Sequence, residues 1–247
     1  MSGFSSSNGR LYGVGLGPGD PDLVTIKATK IIAAVPVVAY FAKNGARGKA
    51  RAILDRWLGD ACLELPLLYP LTTETHFCDS AYVEELRAFY TKAEGAIATH
   101  LLAGRDVALV CEGDPLFYGS FIHLYVRLKD RFGVEIVPGV TGMSGCWSAA
   151  KAPMAWGDDV LSVLPGTLGR AALVRHLGAS DAVVIIKIGA NLAKIRAAIT
   201  ESGRLSTAIY VEHGTSETEK IVPLTVKTDD HAPYFSSILI PGQGRRP

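Results

Sequence analysis

Glu112 and Asp114 flank a glycine in Cys111-Glu-Gly-Asp-Pro-Leu-Phe-Tyr-Gly-Ser120, directly after a segment that reads as a β-strand. Carboxylates in such a loop can receive ribose hydroxyls or an α-amino group, while Asp114 is also suited to cap the helix that follows. Pro115 blocks continuation of the strand. A second glycine loop, Gly13-Val-Gly-Leu-Gly-Pro-Gly-Asp20, also ends a strand, and a third, Pro138-Gly-Val-Thr-Gly142, opens into a helix. Glycines let backbone amides approach a ligand with no Cβ in the way. Thr141 can cap its helix, contact a ligand, or do both. A dinucleotide fingerprint fails: G-x-G-x-x-G has Pro18 in its sixth position when started from Gly13, and Asp20 when started from Gly15. A phosphate-binding P-loop fails as well, because no Gly-Lys-Ser/Thr follows.

The elements that must carry these loops alternate. Strands are expected at Leu11 to Leu16, Val35 to Tyr40, Cys62 to Pro66, Asp106 to Cys111 and Val134 to Val137. Helices are expected from Pro21 to Ala34, from Ala46 to Trp57, from Ser80 to Ala103 with Gly104 closing it, and from the end of the second loop to about Lys129. The alternation continues more weakly, with strands at Val160 to Leu164, Ala182 to Ile188, Thr207 to Glu212 and Tyr234 to Ile240, and helices at Arg170 to His176 and Leu192 to Ser202. Such a pattern predicts an α/β protein with parallel or mixed sheets covered by helices. Residues 1–10 are expected to form a disordered leader, 11–150 a first α/β lobe and 151–247 a second, with the change near Ala152-Pro153.

Composition narrows the function classes. The formal net charge of +1 provides no global field for nucleic acid or an anionic membrane. Cys62, Cys78, Cys111 and Cys146 are scattered without a C-x-x-C pair, which argues against a zinc site or a disulfide framework and for reduced thiols. His76 beside Cys78 lacks a second ligand pair, so no metal is expected. The N-terminus lacks the basic start and apolar run of a signal peptide, and the run Ile31 to Ala42 is too short to span a bilayer. A soluble, cytoplasmic protein is the expectation.

With the three loops in this order, the chain resembles the tetrapyrrole (corrin/porphyrin) methyltransferase family. The resemblance runs from Leu11 to about Pro241 and rests on YGVGLGPGDPDLVTIKA, LVCEGDPLFYGSF, VPGVTG, IIKIGANL and YVEHGTSETEK. It implies the two-lobed tetrapyrrole methylase fold (class III S-adenosylmethionine methyltransferases), with the active site in a trough between the lobes, usually in a homodimer. It implies S-adenosylmethionine as co-substrate, held mostly by backbone groups and lined by Pro18, Glu112, Gly113, Asp114, Thr141 and Gly142, with Phe117, Lys187 and Gly214 completing the site. Glu112 stands where several relatives have glycine. The acceptor implied by CEGDPLFYGSFIHLYVRL is precorrin-2, methylated at C-20 on the route to cobalamin.

Transfer from a sulfonium demands positioning rather than a metal or an enzyme nucleophile. A base must still remove the C-20 proton, unless the macrocycle's nitrogens or water do so. Tyr118, Glu212 and His213 stand beside matched loops, and histidine has the more suitable intrinsic pKa. Precorrin-2 carries eight carboxylates, so the basic stretch with Lys43, Arg47, Lys49, Arg51 and Arg56 is expected to grip some of them; a solvated helix face is the alternative. Rivals are a methyltransferase for the cobalt-containing counterpart or for another ring carbon, an RNA methyltransferase or diphthine synthase of the same fold, a non-catalytic tetrapyrrole carrier, and a nicotinamide oxidoreductase.

Overall fold

A computed structural model describes residues 8–43, 48–70 and 80–243. The chain divides into two compact units, the first ending at Thr141 and the second beginning at Gly142. The first unit is built on β1 (Leu11–Gly15), β2 (Val37–Lys43), β3 (Leu63–Tyr69), β4 (Val107–Cys111) and β5 (Val134–Val137), in the order β3-β2-β4-β1-β5 with every pairing parallel. The residues of β4 are all buried, as a central strand covered on both faces requires. At the edge, β3 is exposed or half-buried at every position but Leu67 and tolerates Pro66.

Alternation along the strands sorts two cores. Leu11, Val37, Ala39, Val107, Leu109 and Cys111 meet α3 (Ser80–Leu102) and α4 (Phe121–Leu128) on one face. Val14, Leu16, Val38, Tyr40, Ala108 and Val110 meet α1 (Ile26–Ala34) and α2 (Lys49–Ile53) on the other. Helix α4 is written by the buried stripe Phe121, Leu124 and Leu128, and α1 by Ala28 and Ile32 behind a Thr25 cap whose Oγ1 accepts the Ala28 N–H at 3.2 Å. The connections leaving β1 lead toward β2 and β3, whereas those leaving β3 and β4 lead back across the sheet. The winding therefore reverses at β1 and β4, the place where an open parallel sheet leaves a crevice beyond its carboxyl ends.

The second unit carries β6 (Leu161–Pro165), β7 (Ala182–Ile186), β8 (Ile209–Glu212), β9 (Lys220–Pro223) and β10 (Ser236–Ile240) in the order β6-β7-β10-β8-β9. Only β6 and β7 pair in parallel; β10 runs against β7 and β8, and β9 against β8. Helices α6 (Arg170–Ala179) and α7 (Leu192–Glu201) bury Leu173, Leu177, Leu192, Ile195 and Ile199 on one face. On the other face α5 (Gly142–Ala149) sets Met143, Cys146 and Trp147 against Val184, Val211 and Leu239. That packing groups α5 with the second unit, so the division falls before this helix rather than near Ala152-Pro153.

Local chemistry explains where elements differ from the sequence reading. The expected helix from Pro21 splits into a 3-10 turn, Pro21–Leu23, and α1, because Val24 is extended and Thr25 starts a new cap. The basic helix shortens to α2 followed by a 3-10 turn, Leu54–Arg56; residues 46 and 47 lie outside the described residues, as do His76, Cys78 and most of the leader. Strand β9 is an addition: Lys-Ile-Val-Pro, four residues long, is too short to show a period. Among the described residues no helix is long and apolar enough to cross a membrane.

Candidate functional site

All three glycine loops end adjacent strands of the first sheet, β1, β4 and β5. They are fastened to one another by backbone. The Leu16 N–H donates to the Cys111 carbonyl at 2.9 Å, and Gly17 and Gly113 exchange hydrogen bonds at 3.3 and 2.7 Å. Closeness is the reason for glycine here. A Cβ on Gly139 would stand 2.1 Å from the Gly113 carbonyl oxygen, and one on Gly15 would stand 2.6 Å from both that oxygen and the Gly139 nitrogen. No side chain fits between the loops.

The two carboxylates in the second loop do different work from each other. Asp114 Oδ1 accepts the Leu116 N–H at 2.9 Å, an Asx turn that shapes its own loop, and Oδ2 accepts the Gly139 N–H at 3.2 Å. Asp114 thus pins the second loop to the third. Glu112 Oε1 accepts the Ala50 N–H at 3.0 Å, so its side chain turns toward the start of α2. Pro18 and Thr141 are half-buried, and Gly142 has nothing within 4 Å of where a Cβ would stand, leaving the first residue of α5 open to a ligand atom. Phe117 packs edge-on to Tyr118 at 4.9 Å, and Tyr118 is 45% exposed with φ 54°. Cys111 is buried and its thiol is pushed up by desolvation, which removes it as a nucleophile.

The second unit has an edge of the same kind. Strands β6, β7 and β8 point the same way, so the segments after their carboxyl ends emerge on one side of the sheet. Lys187, exposed with φ 55°, follows β7; Glu212, His213 and Gly214 close β8. Glu212 Oε1 accepts from Tyr210 Oη at 2.8 Å. The His213 N–H donates to the Phe235 carbonyl at 2.8 Å with φ 50°. Gly214 is buried against Cys146, whose Sγ lies 3.0 Å from a virtual Cβ. Left-handed backbone at non-glycine residues costs about 1–3 kcal/mol each and persists where the surroundings impose it. Four of the five such residues among the described residues, Tyr118, Lys187, His213 and Thr215, lie in these loops. Thr215 was not singled out by sequence; it has φ 71° and a buried hydroxyl without a hydrogen-bond partner among the described residues. Its only signal in the sequence was a small polar turn after a strand.

The basic stretch divides. Arg51 is 13% exposed and its guanidinium is taken by Glu64, at 2.5 and 2.8 Å, and by Asp55 at 2.5 Å. Those hydrogen bonds hold the guanidinium pKa above its ordinary value. Tyr40 donates to the same Glu64 at 2.9 Å. Arg51 is therefore a structural pin rather than the open bidentate clamp expected of it, and Arg56 pairs with Asp22 at 2.5 Å. Lys43 ends β2 and Lys49 opens α2, both exposed; Arg47 lies outside the described residues.

Residues 10–228 match the family model of the Tetrapyrrole (Corrin/Porphyrin) Methylases. The chain is 54% identical over 97% of its length, and 98% of the relative's, to a precorrin-2 C(20)-methyltransferase of Sinorhizobium sp. It is 30% identical, over 94% of its length and 96% of the relative's, to a cobalt-precorrin-2 C(20)-methyltransferase of Salmonella typhimurium. Its fold is similar to that of the uroporphyrin-III C-methyltransferase of Thermus thermophilus in complex with S-adenosylhomocysteine, with TM-score 0.65, 22% identity, and 95% and 98% of the two chains covered. The chain belongs to the tetrapyrrole methylases.

Two substitutions test this division of labour. Gly139→Ala forces the third loop away from the second and should abolish adenosyl-ligand binding by calorimetry, while far-ultraviolet circular dichroism stays near wild type. Arg51→Ala should lower unfolding stability in urea by about 1–3 kcal/mol, by removing the guanidinium that bonds Glu64 and Asp55; unchanged stability would contradict the structural role.

Proposed function

We propose that this tetrapyrrole methylase transfers the methyl group of S-adenosylmethionine to C-20 of precorrin-2, in cobalamin biosynthesis. The observation that carries the reading is 54% identity, across nearly all of both chains, to a precorrin-2 C(20)-methyltransferase. The lower identity, 30%, to a cobalt-precorrin-2 enzyme favours the metal-free acceptor. A cytoplasmic homodimer is part of the same reading.

The donor's sulfonium supplies an already activated methyl group. The chain's part is to bind, orient and exclude water, and an acceptor carbon held about 3–3.5 Å from the methyl and in line with sulfur gains several kcal/mol from position alone. Pro18, Gly113, Phe117, Thr141, Gly142, Lys187 and Gly214 are assigned to the donor, largely through backbone. This fits loops whose side chains have been removed so that main chain can approach main chain. Asp114 holds two of those loops in register. Lys43 and Lys49 are assigned to acceptor carboxylates.

Of the three candidate bases, Glu212 is already engaged by a hydrogen bond from the Tyr210 hydroxyl. Tyr118 and His213 remain, each presented on left-handed backbone. A ring nitrogen of His213 has the intrinsic pKa suited to taking the C-20 proton near neutrality.

Anaerobic incubation with S-adenosylmethionine and either metal-free precorrin-2 or its cobalt-containing counterpart tests the assignment. A gain of one methyl by mass on the metal-free substrate, placed at C-20 by carbon labelling, is expected. Turnover only with cobalt would move the enzyme to the other acceptor. In the same assay His213→Gln should lower kcat by about 10²-fold; an unchanged rate would remove His213 as the base.

A further inference from the structure

Helix α2 begins without a cap of its own. Its first flanking residue is Gly48, at φ 76°, where no side chain reaches the helix. None can be added: a Cβ at Gly48 would stand 2.9 Å from the Phe41 carbonyl oxygen, and left-handed backbone disfavours any residue that could carry one. The N–H groups of a first helical turn need acceptors from elsewhere. One is supplied from 62 residues away, where Glu112 Oε1 takes the Ala50 N–H at 3.0 Å. The neighbouring Lys49 is partly desolvated, which lowers its pKa, and the Glu112 carboxylate opposes that shift. Glu112 directly precedes Gly113, the residue that exchanges backbone hydrogen bonds with Gly17. One carboxylate therefore joins the glycine loops to the start of the basic helix.

We propose that Glu112 is a positioning residue for the acceptor: it docks α2, and Lys49 with it, onto the donor loops, and so sets affinity for the polycarboxylate macrocycle rather than for the donor. This rests on the methyltransferase reading above. It departs from the role that the resemblance gives position 112, contact with S-adenosylmethionine. With Oε1 on the Ala50 N–H, the Glu112 carboxylate is directed at the start of α2. It is well placed to keep Lys49 charged and oriented, as pairing with anionic side groups of a substrate requires.

The experiment compares wild type, Glu112→Ala and Glu112→Gln. It reads S-adenosylhomocysteine Kd by calorimetry, steady-state constants for precorrin-2 under anaerobic conditions, and hydrogen exchange of the segment from Gly48 to Leu54. In Glu112→Ala the KM for precorrin-2 should rise about tenfold, the loss of one charge-assisted hydrogen bond. The Kd of the adenosyl ligand should stay within about twofold, and exchange at Ala50 should accelerate at least tenfold. The glutamine carbonyl can still accept the Ala50 N–H, so Glu112→Gln should recover slow exchange and most of the KM. A raised adenosyl Kd with unchanged precorrin-2 KM would return Glu112 to the donor site and overturn the proposal. Unchanged exchange at Ala50 in Glu112→Ala would overturn it too, whatever the kinetics. Wild-type protein that binds no adenosyl ligand and methylates nothing would sink the methyltransferase reading instead, and is recognised before any variant is measured.

Discussion

The contact on which the first unit's site depends is main chain against main chain, where the loops after β1, β4 and β5 touch at Gly15, Gly113 and Gly139. Atoms at these positions approach so closely that a methyl group on Gly15 or Gly139 would collide with backbone. The constraint arises from topology. A parallel sheet that reverses its winding between β1 and β4 brings their carboxyl ends side by side with their connections leaving on opposite faces. The exposed ends of three strands then lie within reach of a single small ligand. Main-chain donors and acceptors are the groups available there, which suits a co-substrate recognised by shape and hydrogen bonding.

Charged side chains around this centre mostly serve to hold it. Asp114 spends both oxygens on backbone N–H groups, one in its own turn and one in the third loop. Glu112 holds the start of α2, and Arg51 locks the same helix to β3 through Glu64. A carboxylate or guanidinium used in this way gives up ligand contact for rigidity, and rigidity is what an in-line displacement needs from its enzyme. The second unit follows a related logic with strained backbone: Lys187, His213 and Thr215 adopt left-handed conformations at the ends of β7 and β8. Such positions are maintained against a cost, and are concentrated where orientation matters.

Much of this was legible in the residues. The strands that feed the three loops were marked by apolar β-branched runs, and the loops by glycine and proline placed at strand ends. The helix expected between the second loop and about Lys129 corresponds to α4. What sequence did not reveal were partnerships between distant residues. Nothing local shows that Glu112 meets Ala50, or that Arg51 is consumed by Glu64 instead of remaining open to solvent. A row of basic residues looks the same whether its charges face an internal acid or a substrate. The edge strand β9 was hidden for another reason: four residues paired on one side only impose little pattern on sequence. Placement of α5 depended likewise on which sheet its apolar residues met, Val184, Val211 and Leu239 in the second unit.

A crystal structure of the protein soaked with S-adenosylhomocysteine addresses the central claim most directly. The account predicts adenosyl density in hydrogen-bond contact with main-chain atoms of the loops after β1, β4 and β5, against Pro18, Gly113, Phe117 and Thr141. Asp114 should keep its bonds to Leu116 and Gly139. Density lodged elsewhere, or a ligand that displaces Asp114 from Gly139 to reach its carboxylate, would contradict the claim that these loops are a preformed main-chain cradle.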